Sequence, residues 1–363
     1  MTTALAVLLL PVGALVVLYT VVSAIVTVVV PRATQVLLTR WVFVSVRMLF
    51  MLRSRRATSY EQRDRRMARY APFSLLTLAM TWLALVLVGY MLLYWSLGER
   101  PWRLAFGLSG SSLFTLGFTA PRDLPMTALS FSEAGIGLAL LALLISYLPA
   151  IYTAFSRREA TVASLDVWAG RPPSAAAMLI RLTTIKGLDD MEVWRRWEDW
   201  FVDIEETHTT NPSLVFYRSP IPERSWITAA GTVLDAGAIL ASTVEGPRRS
   251  QVELCIRAGY LSLRRIADYF AIPYDADPRP DDPISITREE YEAVRRRLDA
   301  QGVPLKPDAD QAWRDFAGWR VNYDTVLLSL AGLTMAPYAL WSSDRSLRYR
   351  RPSLTRRAAR APR

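Results

Sequence analysis

The stretch "SSLFTLGFTAPRD", residues 111–123, lies between two long uncharged runs, and its reading decides the fold. It is too short to cross a membrane, yet it follows "WRLAFGLSG", which stands behind Pro101 at a position suited to the first turn of a helix. Outward from it, residues 70–98 and 134–156 contain no charged side chain, and neither do residues 1–31 at the start of the chain. Each run exceeds the roughly 20 residues a helix needs to cross a bilayer. The chain therefore reads as an all-α membrane protein. The first run lacks a basic leader and is too long for a signal peptide, so it is expected to be an uncleaved span.

Charge sets an expected orientation. The net charge of +10 is almost wholly arginine, with Lys186 and Lys306 as the two lysines, and it clusters beside apolar runs. That pattern favours membrane topology and anionic lipid over nucleic acid. Residues 31–71 carry ten arginines against Glu61 and Asp64, which places this loop in the cytoplasm by the positive-inside rule. The N-terminus is then outside, the second span (about 72–95) returns outward, and the third (about 131–155) comes back to Arg157 and Arg158. Residues 36–52 carry Arg40 and Arg47 seven apart on one helical face, which predicts an interfacial helix on the inner leaflet. As a span it would bring both arginines near the membrane core, at roughly 2.5–3.5 kcal/mol each.

Between spans two and three, "WRLAFGLSGSSLF" is expected to dip about ten residues into the membrane as a re-entrant helix, and "APRDLP" to return to the surface. Irregular backbone at that depth is tolerated where it is buried in protein or lines a water-filled path. Outer helix, dip, "TLGF" and an inner helix ending "LLISYLPAIYTAFSRRE" together resemble the two-transmembrane, pore-loop potassium-channel superfamily over about residues 72–160. In that family the filter reads Thr-Val-Gly-Tyr/Phe-Gly-Asp after another threonine. Thr115, Leu116, Gly117 and Phe118 match it, whereas Phe114, Thr119 and Ala120 depart from it. The single Gly-Phe followed by a polar residue is also similar to the Trk/Ktr/HKT cation transporters, which carry four pore loops per chain where this chain has one.

The resemblance implies an ion channel for monovalent cations (K+ or Na+) in the cell membrane. Thr115, Leu116, Gly117, Phe118 and Thr119 would form the selectivity filter, and a homotetramer would supply four loops around one axis. No further cofactor and no enzymatic activity are implied. The family's second glycine takes a conformation easy for glycine alone, so Thr119 is expected to be strained and selectivity reduced. A non-conducting scaffold or sensor on a degenerate channel fold is the alternative. Gly135, Gly137 and Pro149 on the inner helix are candidate hinges or, equally, close-packing positions.

The expected domains are an N-terminal span (1–31), a basic segment with the interfacial helix (32–71), the pore-loop module (72–158), a helical cytoplasmic domain (159–343) and a basic disordered tail (344–363). "AGRPPS" (169–174) reads as a linker. Trp194, Trp197 and Phe201 form one apolar stripe, and Leu254, Ala258, Leu261 and Ile266 a second. Thr287 and Glu290 form a capping box, with Gly302 as the stop. Residues 226–245 and 323–341 are apolar, but as spans they would put twelve arginines outside and Asp235 in mid-membrane, so buried helices are expected.

The remaining motifs point to little chemistry. Glu205 and His208 form a single Glu-x-x-His, half of a di-iron set, and read as a solvent-facing polar pair. The aspartates at 275, 277, 281 and 282 lack EF-hand spacing, and Cys255 reads as a buried thiol. The tail's eight arginines suit anionic lipid headgroups.

Overall fold

The computed structural model describes residues 2–30, 36–54, 59–188 and 190–347. It is helical throughout, with no strand among the described residues. They fall into two units, one holding residues of 1–57 and 69–153 and the other those of 58–68 and 154–363.

The first unit contains α1 (Thr2–Val28), α2 (Leu37–Ser54), α4 (Tyr70–Ser96), α5 (Trp102–Leu113) and the first part of α6 (Leu124–Ala169). By length and composition α1, α4 and α6 are each apolar enough to cross a membrane, which suggests a membrane protein. α1 and α4 cross at two glycines. A Cβ on Gly13 would stand 2.7 Å from the Gly89 carbonyl, and one on Gly89 would stand 2.6 Å from Val17 Cγ2. Such close backbone approach is how apolar helices gain dispersion contact where no hydrophobic drive separates helix from lipid. Trp82 Nε1 adds a bond to Ser23 Oγ (3.2 Å). α2 lies against the start of α4, where Phe43 and Phe50 meet the Tyr70 ring edge-on, and the Tyr70 hydroxyl donates to the Phe43 carbonyl (3.2 Å).

The second unit includes α3 (Tyr60–Met67). Asp64 is the reason: Arg218 binds it while also donating to the Thr334 carbonyl at 2.5 Å. α6 also runs past its expected end. It continues to Ala169, burying Arg158, Val162, Leu165 and Ala169 on one face of the second unit.

The rest of that unit is α7 (Ala175–Ile185), α8 (Met191–Thr210), α9 (Trp226–Thr243), α10 (Ser250–Tyr269), α11 (Arg288–Asp299), α12 (Ala309–Arg320) and α13 (Asp324–Thr334). Trp194, Trp197 and Phe201 are buried as the stripe required. On α10 the expected stripe is displaced: Leu254 is exposed, and Val252, Ile256, Gly259, Leu263 and Ile266 face inward. Gly259 sets this phase, because a Cβ there would come within 2.9 Å of the Phe201 ring.

α9 is long and apolar enough to cross a membrane, yet almost all of it is covered by neighbours in its own unit. Its Asp235 accepts from Arg320 Nη1 (2.5 Å) and from the Tyr323 hydroxyl (2.9 Å). Arg320, with no exposed surface, also binds Asp324 (2.7 Å) and the Trp341 carbonyl (2.6 Å). Burial pulls the Arg320 guanidinium down, but Asp235 and Asp324 outweigh it and its pKa is raised. The apolar run at 323–341 is not one helix, since α13 stops at Thr334 after eleven residues.

His208 is buried, correcting the solvent-facing reading. Arg158 Nη1 lies 3.0 Å from its Nε2, Thr207 Oγ1 lies 3.1 Å from Nδ1, and the Trp226 ring covers it at 4.9 Å. Burial first, then the Arg158 charge, hold its pKa well below the ordinary value. Glu205 turns instead to Arg265 and Ser262. Asp275 and Asp282 cap local turns through the amides of Asp277 and Arg279. Of the basic tail, Arg345 is held by Glu290 (2.6 Å) and Leu347 N–H donates to the Leu328 carbonyl (3.2 Å), so the chain is ordered to that point. Residues 348–363, where most of the expected lipid-binding arginines fall, lie outside the described residues.

Two outcomes follow for the detergent-solubilised full chain. Arg320→Ala leaves two buried carboxylates without their cation, so unfolding free energy should fall by about 3–5 kcal/mol, read as a lower Tm; an unchanged Tm would refute this role. Neutral His208 contributes stability that is complete above pH 6.5 and lost as the pH falls below it, because the unfolded chain then binds a proton the folded chain resists. Tm should therefore drop between pH 6.5 and 5, with a shallower slope in His208→Gln.

Candidate functional site

α5 is a twelve-residue helix, about 18 Å long, lodged between α4 and α6. Ala105, Leu108, Ser109 and Ser112 make its buried side. The Ser109 hydroxyl reaches the Leu87 carbonyl of α4 (3.0 Å) and Glu133 Oε1 of α6 (2.5 Å). Ser112 meets Ser130 (2.6 Å), and Tyr90 of α4 meets Ser132 of α6 (2.8 Å). At its C-terminal end α5 touches α6 directly, where a Cβ on Gly137 would stand 2.5 Å from the Leu113 carbonyl. Gly137 is thus a close-packing position. Gly135 has open space around it, and α6 runs through Gly135, Gly137 and Pro149 without a break.

The segment after α5 begins with a Schellman closure. Phe114 caps the helix, Thr115 follows with φ +54°, Leu116 N–H donates to the Ser111 carbonyl (2.8 Å) and Thr115 N–H to that of Ser112 (3.0 Å). The left-handed residue in this motif is usually glycine, because a Cβ there crowds the following carbonyl. Here it is a β-branched threonine. Gly117 is left-handed as well (φ +70°).

Thr119, where the sequence predicted strain, does not take a positive φ; the strained position is Thr115. Helix-end geometry decides this, since the motif demands αL at the residue following the cap. Thr119 is instead tied by its N–H to Ser111 Oγ (3.1 Å), so Ser111 holds the segment at both ends.

Beyond it, Arg122 binds the buried Glu99 carboxylate and the Gly98 carbonyl (3.0 Å). Asp123 then accepts from the Met126 N–H (2.9 Å), starting α6. Between these anchors Phe114, Leu116 and Phe118 are 51%, 63% and 68% exposed, which leaves three large apolar side chains uncovered by this chain. Phe131, Leu138, Leu141, Ile145 and Tyr152 are uncovered along α6. These five recur at helical spacing and form an apolar stripe.

Of the residues singled out in the sequence, Thr115–Thr119 are gathered in one anchored loop beside the Gly137 contact, while Gly135 and Pro149 lie apart from it. Glu133 went unnoticed in the sequence. It is the one acid within residues 131–155, and that isolated charge in an apolar run was its signal.

Opposite effects are expected two residues apart. Thr115→Gly relieves about 1–2 kcal/mol of left-handed strain, more than the roughly 0.4–1 kcal/mol of added unfolded-chain freedom, so Tm should rise slightly. Gly117→Ala should lower Tm, since alanine is strained at φ +70°. Thermal unfolding of both variants checks this.

No family model, no curated protein and no solved structure matches the chain.

Proposed function

We propose that the protein is a homotetrameric cation channel of the pore-loop type, with Thr115–Phe118 lining the narrowest path and Thr119 closing its outer end. One observation carries the reading: a short helix seated between two long apolar helices delivers an irregular, doubly anchored segment whose side chains its own chain leaves uncovered. Four copies around an axis would cover Leu116 and Phe118, which a lone copy leaves open. Carbonyls of a converging segment can then replace an ion's hydration shell. The strain at Thr115 supports the same reading, because a left-handed threonine persists where its surroundings hold it, and such outliers gather at functional sites.

In the orientation that the arginine-rich 31–71 segment favours, the loop faces outward, the N-terminus is external and the second unit is cytoplasmic. α6 carries the chain from the loop into that unit, which would assemble or gate the pore. α9 contributes to that unit's core and does not span, because its buried Asp235 is neutralised by Arg320 from the same unit. Without the second filter glycine and the acid after it, discrimination between K+ and Na+ is weaker than in a potassium channel.

Purified protein in liposomes should pass monovalent cations. Thr115→Ala or Gly117→Ala should change the flux or the K+/Na+ ratio while the oligomer persists. An oligomer without a central axis of loops, together with absent flux, would falsify the reading.

A further inference from the structure

Glu133 has no exposed surface and sits on α6 directly behind α5. Its Oε1 bonds to Ser109, the Tyr94 hydroxyl is the other polar group beside it, and among the described residues no basic side chain pairs with it. Its other oxygen, Oε2, is buried without a partner, as is the Tyr94 hydroxyl of α4. Tyr94 and Tyr90 are the titratable groups that face it from α4; α5 presents Ser109 and Ser112, which carry no charge.

The Ser109 hydroxyl has a single proton but stands within bonding distance of two acceptors, the Leu87 carbonyl (3.0 Å) and Glu133 Oε1 (2.5 Å). Both contacts are satisfied together when Ser109 donates to Leu87 and Glu133 carries the proton that it donates to Ser109. An ionised carboxylate here would be a buried charge with no counter-ion, which costs far more than a neutral acid with one good hydrogen bond.

We infer that Glu133 is a positioning residue held as a neutral carboxylic acid, joining α6 to α5 and, through Ser109, to α4. It thereby fixes the helix whose end carries the 114–119 loop. Two residues after Ser109, the Ser111 carbonyl and hydroxyl receive the amides of Leu116 and Thr119, so a shift of α5 moves both anchors of the loop. This role rests on the channel reading for its purpose, and the brace itself is observable without ion flux.

Infrared difference spectra of the reconstituted protein at neutral pH should show a protonated-carboxyl C=O band that Glu133→Gln removes. Absence of that band overturns the inference. In hydrogen–deuterium exchange, Ser109→Ala and Glu133→Ala should speed exchange at residues 111–119 by about fivefold to tenfold, with the α1–α4 crossing at Gly13 and Gly89 unchanged. Glu133→Gln, whose amide also donates, should match wild type. A uniform rise across the first unit, no rise, or Glu133→Gln behaving like Glu133→Ala each overturns the positioning role. If Glu133→Ala does not fold, Ser109→Ala decides the exchange result. Flux reads out separately: if the band and the exchange pattern hold while wild type passes no cation, the channel reading fails and the brace stands.

Discussion

Ser111 is where the loop after α5 is tied down, through a problem every helix end poses. The last carbonyls of α5 have no partner within the helix, and in an apolar setting an orphan carbonyl is expensive. The Schellman closure meets that need by turning Leu116 N–H back onto the Ser111 carbonyl, and the Ser111 hydroxyl then takes the amide of Thr119. One residue thereby sets both ends of the loop. The cost falls on Thr115, which must be left-handed for the closure to form. The contact of Gly137 with Leu113 and the Glu133–Ser109 bond hold the helix that makes this possible.

The second unit meets a related difficulty with charges. Its core encloses Arg320 between Asp235 and Asp324, and Arg158 against Glu159, His208 and two backbone carbonyls. Buried pairs of this kind add little net stability over apolar packing, but they penalise any arrangement that separates the partners. That explains how a helix as apolar as α9 is held inside a polar-surfaced bundle. Its one acid has a fixed cation in the same unit.

Much of the helical plan was legible in the sequence. The charge-free runs gave α1 and α4 almost to their ends, Pro101 marked the start of α5, "AGRPPS" the gap between α6 and α7, and Thr287 with Glu290 the start of α11. The candidate loop was legible as Thr115–Thr119, but its strain was assigned to the wrong threonine. Analogy with a glycine pattern pointed to Thr119, whereas hydrogen-bond geometry at the end of α5 places the left-handed residue at Thr115. On α10 the expected stripe held at Ile266 but not at Leu254, which hydrophobicity favoured, while the size of Phe201 opposite selects Gly259.

Periodicity and charge are properties of the chain itself, so the sequence alone determined that the protein is helical, where apolar helices run and which loop stands between two of them. Burial of polar groups is a property of pairs that meet only in space. Glu133 and Ser109 are twenty-four residues apart, and His208 and Arg158 fifty; nothing local to either member signals the other. Only the tertiary structure could decide that Glu133 braces α5, that His208 is buried and that Asp64 belongs to the second unit. Each of these depends on a partner supplied by a distant segment of the chain.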